Sequence, residues 1–198
     1  MYIAEQRYLS PHNRYSNKPC LLSIVDLAQA RLAPAALNRL VKRLSAQLPG
    51  LERARALVGA IGGAAPAGDG ARLAQLIQGV TLEVQRLASD ESMVGFVGAV
   101  PKMTGRYRLV LPCGERNMAA SALAIALRMV SAALAGQAFD LAAGLAALRS
   151  GNGGRRAATA QATAGAHAEK PAAQLPERRM ASRRRGERGV PDAIALAA

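Results

Sequence analysis

Large apolar residues recur at helical spacing between positions 69 and 89, the most regular stretch of the chain. They form the i, i+3, i+4, i+7 series of one helix face, at Leu73, Leu76, Ile77, Val80, Val84 and Leu87. Asp69 is suited to cap the N-terminus of this helix, because its carboxylate can accept from free backbone N–H groups. A helix of roughly 18 residues is about 27 Å long. Gly79 in its middle costs about 1 kcal/mol relative to Ala, which indicates a close approach by another element.

The same periodicity predicts a long helix on either side of the central one. The first begins at Pro34, whose missing N–H does no harm at the first helical position, and ends near Leu48. The other runs from Asn117 to Ala135, and Gly136 follows it where a C-terminal glycine cap belongs. A short final helix is predicted from Phe139 to Leu148.

The helix that begins at Asn117 is apolar enough to need a membrane check. It is rich in alanine and carries Arg128 near its middle, and a central Arg costs about 2.5–3.5 kcal/mol on insertion scales. We therefore predict a buried helix and no association with a membrane.

Four segments have the β-branched and apolar residues of strands. They are Tyr2 to Leu9, Cys20 to Leu27, Met93 to Val97 and Tyr107 to Cys113, and the first two would form an antiparallel hairpin across a polar loop. The segment from Arg53 to Ile61 is ambiguous between helix and strand.

These elements predict an α+β fold, with a small, mostly antiparallel sheet of about four strands packed by three long helices. After Ser150 the sequence is rich in Ala, Arg, Gly and Pro and has few large apolar residues, so it cannot offset its ordering entropy. We expect a domain over residues 1–149 and a disordered basic tail over residues 150–198.

The net charge of the 198-residue chain is +13. The tail contributes +5 and the first 150 residues contribute the other +8. Such an excess attracts nucleic acid and acidic polymers alike. Two distant cysteines, Cys20 and Cys113, fit a reducing compartment, and no secretory signal is recognisable at the N-terminus, so we expect a cytoplasmic protein.

Motifs for catalysis or metal binding are not found in the sequence. There is no Walker-type phosphate loop and no G-x-S-x-G elbow. The two histidines, His12 and His167, have no metal ligand at a suitable spacing. No nucleophile–base pair or carboxylate dyad is recognisable. We therefore predict no catalytic residues, no metal site and no enzymatic activity of the chain by itself.

Several short motifs occur in the order and spacing of a known family. Residues 9–16 are similar to that family's Leu-Arg-Gly-Pro-Asn-x-Trp-Ser stretch, sharing Leu9, Asn13 and Ser16, with Tyr15 at the tryptophan position. Further similar runs are Leu48-Pro49-Gly50-Leu51, residues 80–85, Val94-Gly95-Phe96, residues 107–110, residues 126–130 and residues 139–142. On these motifs, residues 3–149 resemble the N-terminal domain of cyanophycin synthetase. This family of ATP-dependent ligases makes a storage polymer with an aspartate backbone and arginine side groups.

The chain also departs from the family pattern. The family's His-x-x-Glu-His run in the central helix is replaced by Gln75, Leu76, Ile77, Gln78 and Gly79, and Ser10-Pro11 replaces an Arg-Gly pair. No counterpart of the family's ATP-grasp and Mur-ligase-like domains follows. The resemblance therefore implies a stand-alone or truncated N-terminal domain without a cofactor of its own, since ATP and Mg²⁺ would act only in the missing domains.

By resemblance, this domain holds the growing polymer while other domains extend it. Carboxylates of the polymer could bind Arg7, Arg14 and Arg108, and its guanidinium groups could bind Glu83 or the ring of Tyr15. Asn13 is a further candidate within the matching stretch. The alternative for each is a solvated charge or an aromatic ring at the edge of the core, and Glu83 could face solvent without a partner.

Three hypotheses remain open from the sequence. The chain is a polymer-binding module, which could dock on a complete synthetase or form a homo-oligomer. Alternatively, it is a basic protein that associates with nucleic acid through its charge and Arg183-Arg184-Arg185, although aromatic residues make up only 3%. A third hypothesis is a truncated synthetase, because the bias after Ser150 is typical of a shifted reading frame in GC-rich DNA.

Overall fold

A computed structural model of the protein describes residues 1–30, 32–61, 67–89, 93–114 and 116–150. Within these ranges lie five strands: β1 (Tyr2–Leu9), β2 (Cys20–Asp26), β3 (Val58–Ala60), β4 (Gly95–Ala99) and β5 (Arg106–Pro112). The helices are α1 (Pro34–Gln47), α2 (Leu51–Ala56), α3 (Asp69–Ser89), α4 (Arg116–Leu134) and α5 (141–150). The predicted α+β class is confirmed, as are its three long helices. The tail predicted to be disordered lies outside the described residues, so the domain boundary stays a prediction.

The five strands form one sheet in the order β1-β2-β5-β4-β3. The hairpin of β1 and β2 is confirmed, and the β2–β5 and β4–β5 interfaces are also antiparallel. Only β3 and β4 are parallel, because α3 is the crossover that connects them. The ambiguous segment from Arg53 to Ile61 contains the end of α2 and the whole of β3, a strand that the sequence analysis does not predict.

Helices α3 and α4 cover one side of the sheet, called the helix face below, and enclose the main core with it. Leu21 and Val25 of β2 and Leu109 and Leu111 of β5 point to this side and are fully buried. Gly79 of α3 confirms the predicted close approach, because a Cβ there would lie 2.7 Å from Cγ of Arg55. The middle of α3 is therefore buried on all sides, between the sheet, α2 and α4.

Helix ends follow local backbone chemistry. Gly136, with φ +74°, ends α4 in a Schellman motif in which Gln137 N–H donates to the Ala132 carbonyl at 2.8 Å. The prediction for Asp69 was wrong in position: Asp69 is the first residue of α3. The carbonyl of Gly68 accepts the first helical hydrogen bond, from Arg72.

Helix α4 confirms the prediction of a buried helix for one of its faces, since Ala119, Leu123, Ala126 and Val130 are fully inaccessible. Its opposite face is exposed and carries Arg128. In the described ranges, no helix combines the length and the apolar character that crossing a membrane requires.

Candidate functional site

The side of the sheet opposite to α3 and α4, called the open face below, carries a second set of side chains. Strand pairing fixes them in rows, because directly opposed residues share a face. One row runs Arg7, Leu22, Val110, Phe96. The next row runs Glu5, Ile24, Arg108, Gly98. The open face therefore has apolar residues at its centre and two arginines in neighbouring rows.

A small apolar cluster occupies the centre of the open face. Cys20, Leu22 and Val110 are buried there, against Leu9, Tyr15, Ile24, Ile61 and Phe96. No helix residue belongs to this cluster in the described part of the chain. The loop between β1 and β2 covers it instead, through the ring of Tyr15, whose centroid lies 6.3 Å from that of Phe96.

Asn13 holds this loop in shape. Its side-chain amide donates to the carbonyls of Ser10 and Lys18, at 2.9 and 3.2 Å. Its side-chain oxygen accepts from the backbone N–H groups of Tyr15 and Ser16, at 2.9 and 3.2 Å. Asn13 therefore positions Arg14 and Tyr15, and its own polar groups are used within the loop.

A shallow groove of about 470 Å³ lies on the open face, lined by Arg14, Tyr15, Ala60, Ile61, Phe96 and Arg108. Three of the predicted site residues, Arg14, Tyr15 and Arg108, thus come together although they are far apart in the sequence. The Arg14 guanidinium lies 4.6 Å from the ring centroid of Tyr15 and donates to its hydroxyl oxygen. The side chain of Arg108 has no hydrogen bond or ion pair within the described ranges. The groove therefore presents two guanidinium groups beside two aromatic rings.

Arg7 shares the open face but lies outside the groove. It stands on the edge strand β1, two strands from Arg108, and its side chain is exposed. It extends the positive charge of the face from the groove to the edge of the sheet.

Glu83 is in a different place from the other candidates, and the alternative that it faces solvent without a partner is wrong. It lies on α3 with only 1% of its side chain exposed, and both its oxygens accept from the Arg86 guanidinium at 2.8 Å. Gly50, just before α2, packs against this carboxylate so closely that a Cβ would clash with it. Glu83 is therefore a structural residue of the helical layer and is separated from the groove by the sheet.

An ion pair and a hydrogen bond connect the ends of β1, β2 and β5 at one end of the sheet. Nε of Arg106 donates to Asp26 at 2.9 Å, and the Tyr2 hydroxyl donates to the same carboxylate at 3.2 Å. The backbone N–H of Ala28, and then the guanidinium of Arg106, hold the pKa of the Asp26 carboxyl below its ordinary value. This pair ties β1, β2 and β5 together and so supports the face that they share.

A comparison with protein families adds to this geometry. A family model described as the cyanophycin synthase-like N-terminal domain matches residues 23–135, more than half of the chain. The chain belongs to this family. None of the curated proteins compared with the chain matches it. The matched residues include β4, β5 and Arg108, whereas β1 and the loop with Asn13, Arg14 and Tyr15 precede them.

Two of the residues at the positions where the resemblance implies a His-x-x-Glu-His run have structural contacts in this chain. Gln78 donates from α3 to the Val110 carbonyl at 2.8 Å and is fully buried. Gly79 provides the space for Arg55. No group of three or more His, Cys, Asp or Glu side chains that could hold a metal ion occurs among the described residues.

Phe96 is the site residue that sequence reasoning missed as a functional candidate. In the sequence, Phe96 is distinguished only as part of the Val94-Gly95-Phe96 motif. Its place beside Arg108 depends on the register of β4 against β5, and a strand sequence by itself does not specify that register.

Proposed function

We propose that this member of the cyanophycin synthetase N-terminal domain family is a non-catalytic module that binds an aspartate- and arginine-containing polymer on its open face. The observation that carries the proposal is the groove in which Arg14 and Arg108 lie beside Tyr15 and Phe96. ATP-dependent extension of the polymer would take place in other domains or on a complete synthetase.

The arginines suit the carboxylates of such a polymer. A guanidinium presents paired N–H donors that match a carboxylate in a bidentate arrangement. A single exposed ion pair is worth only about 0–1 kcal/mol. A repeating polymer offers many carboxylates in a row, however, so that Arg14 and Arg108 can be engaged together and their contributions combine.

The guanidinium groups of the polymer need a different partner on the same face. The ring of Tyr15 already carries Arg14, so Phe96 is the better ring for a cation–π contact, worth about 0.5–1 kcal/mol at an exposed site. The open face therefore has a complement for both charged groups of the polymer.

Co-sedimentation with insoluble cyanophycin tests the proposal. The variant Arg14→Ala/Arg108→Ala removes both guanidinium groups of the groove. The matched control Arg39→Ala/Lys42→Ala removes the same charge from exposed positions on α1. We expect the groove variant to lose most of its retention and the α1 variant to keep it, with both remaining folded by circular dichroism.

Equal retention of the two variants would contradict the proposal, because binding would then follow net charge alone. Failure of the folded wild-type chain to sediment with the polymer would also contradict it. A parallel measurement with duplex DNA at several salt concentrations separates polymer binding from nonspecific attraction of phosphates, which weakens steeply with salt. DNA retention that exceeds polymer retention would also count against the proposal.

A further inference from the structure

Strand β1 is an edge of the sheet. It pairs only with β2 in the part of the chain that the structure describes. Six of its eight residues are exposed, and only Ile3 and Leu9 are half-buried. An edge strand presents unpaired N–H and C=O groups that can pair with another strand. The strand is eight residues long, and its regular part, from Glu5 to Leu9, follows a register shift between Ile3 and Glu5.

The geometry of an antiparallel ladder limits how two copies of β1 could pair. Each residue directs its N–H and C=O to one side, and alternate residues point to opposite sides. Residues that oppose each other must therefore match both in hydrogen-bonding side and in sheet face. From Glu5 to Leu9 the pairing with β2 is regular. Opposed residue numbers in this segment must therefore have an even sum.

Charge selects among the allowed registers. A sum of 10 opposes Glu5 to Glu5 of the second copy, and a sum of 14 opposes Arg7 to Arg7. A sum of 12 opposes Gln6 to Gln6 and places each Glu5 opposite Arg7 of the other copy. Opposite charges in directly opposed positions stabilise a ladder, and like charges destabilise it. Sums of 16 and above pair no opposite charges within β1.

We propose that two copies of this chain associate through antiparallel pairing of their β1 edges, with a twofold axis at Gln6 and two Glu5–Arg7 ion pairs. The contact is self-complementary, as a twofold interface requires. It makes one continuous sheet of ten strands. Because opposed side chains share a face, both open faces lie on the same side. The pairing itself does not depend on polymer binding; only the gain from presenting two grooves to one polymer rests on the proposed function.

Charge reversal tests the register in the absence of polymer. Glu5→Arg opposes two arginines across the interface, Arg7→Glu opposes two glutamates, and the double variant restores opposite charges. By sedimentation velocity over a range of protein concentrations, we expect wild type and the double variant to dimerise. Each single variant should have a dissociation constant at least about tenfold higher, since two attractive pairs become repulsive.

A wild-type chain that stays monomeric at every concentration would overturn the proposal. So would single variants that dimerise as well as wild type, or a double variant no better than the singles. Thermal unfolding of the variants verifies that the exposed substitutions leave the monomer folded.

A cysteine at the axis gives a second, independent test. Gln6→Cys brings two thiols to directly opposed positions, with Cβ atoms about 4.5–5.5 Å apart, whereas Tyr8→Cys leaves them separated by about four residues of strand. The native Cys20 and Cys113 are buried. We expect oxidation to give a covalent dimer of Gln6→Cys and not of Tyr8→Cys. Equal cross-linking of the two variants, or none in either, would contradict the register.

Discussion

The two faces of the sheet differ in how many packing and hydrogen-bond partners their side chains have within the protein. On the helix face, α3 and α4 bury the apolar residues, and the side-chain amide nitrogens of Gln78 and Gln85 donate to the carbonyls of Val110 and Pro112. The amide oxygens of the two glutamines are buried without a hydrogen-bond partner among the described residues. On the open face, a small apolar cluster is covered by one loop, and the side chains of Arg7 and Arg108 have no hydrogen bond or ion pair within the described residues of one copy. Strand alternation places both environments on the same strands. One face can therefore stabilise the fold while the other remains available for binding.

The largest effect on stability is expected for Leu111, a core residue on β5, the strand that also carries Arg108 of the groove. Leu111→Ala removes a fully buried side chain from the helix face and should lower the free energy of unfolding by about 2–5 kcal/mol. Arg108→Ala, on the open face, should change it by less than about 0.5 kcal/mol. Chemical denaturation of the two variants measures the difference. Similar losses of stability in both would show that the faces are not energetically distinct.

A glycine of β4 tests the contact between the sheet and α3. Gly95→Ala puts a Cβ where the Gln78 amide reaches the Val110 carbonyl, so this side chain must move. We expect a loss of about 1–3 kcal/mol, the usual cost of overpacking. Gln78→Ala removes the obstacle, so the double variant should lose less than the sum of the singles. Strict additivity would mean that the two residues do not interact.

Glu83 and Arg86 test whether a charged candidate belongs to the helix face. Arg86→Ala leaves the Glu83 carboxylate buried without its ion-pair partner, and the expected cost is about 1–2 kcal/mol, because Arg86 is one-third exposed and water can replace it in part. Glu83→Gln in the same chain should recover part of the loss. Polymer retention of Glu83→Gln, measured by co-sedimentation, should equal that of wild type. Loss of retention in a folded Glu83→Gln protein would place Glu83 in binding instead.

The smallest expected effect is a pH dependence at the strand ends. The pKa of Asp26 is lowered from its ordinary value of 3.8 in the folded protein. As the pH falls, Asp26 is therefore protonated in the unfolded chain before it is protonated in the folded protein. The contribution of the Asp26 carboxylate to the free energy of unfolding is complete above pH 3.8 and is lost as the pH falls through the lower pKa of the folded protein. Asp26→Asn should reduce the fall of the melting temperature at acidic pH, measured by thermal unfolding at a series of pH values. Glu52→Gln, at an exposed position on α2, is the control, and an equal change in both variants would contradict the assignment.

The sequence predicted elements whose pattern is local. Helix α3 was recognised because its apolar period extends over 21 residues. The sequence does not predict strand β3, because the strand has only three residues and is defined by its pairing with β4, which the sequence pattern does not show. For the same reason, the sequence could propose Arg14, Tyr15 and Arg108 one by one. Only the strand register and the loop held by Asn13 bring them into one groove.

For Glu83, the sequence does not reveal that the charged side chain is buried. Its charge suggested exposure, but Gly50 allows α2 to approach α3 closely enough to bury it. The partner that makes this burial tolerable, Arg86, lies one helical turn away in the sequence. That spacing was the available signal for an ion pair within the helix.

The most direct test of the open face is a titration of isotopically labelled protein with a short, soluble aspartate–arginine oligomer, followed by amide NMR. We predict that the largest shift changes fall on Tyr15, Phe96, Arg108 and their strand neighbours, with little change along α1 and α2. Changes concentrated on the helices, or none at saturating oligomer, would contradict the account.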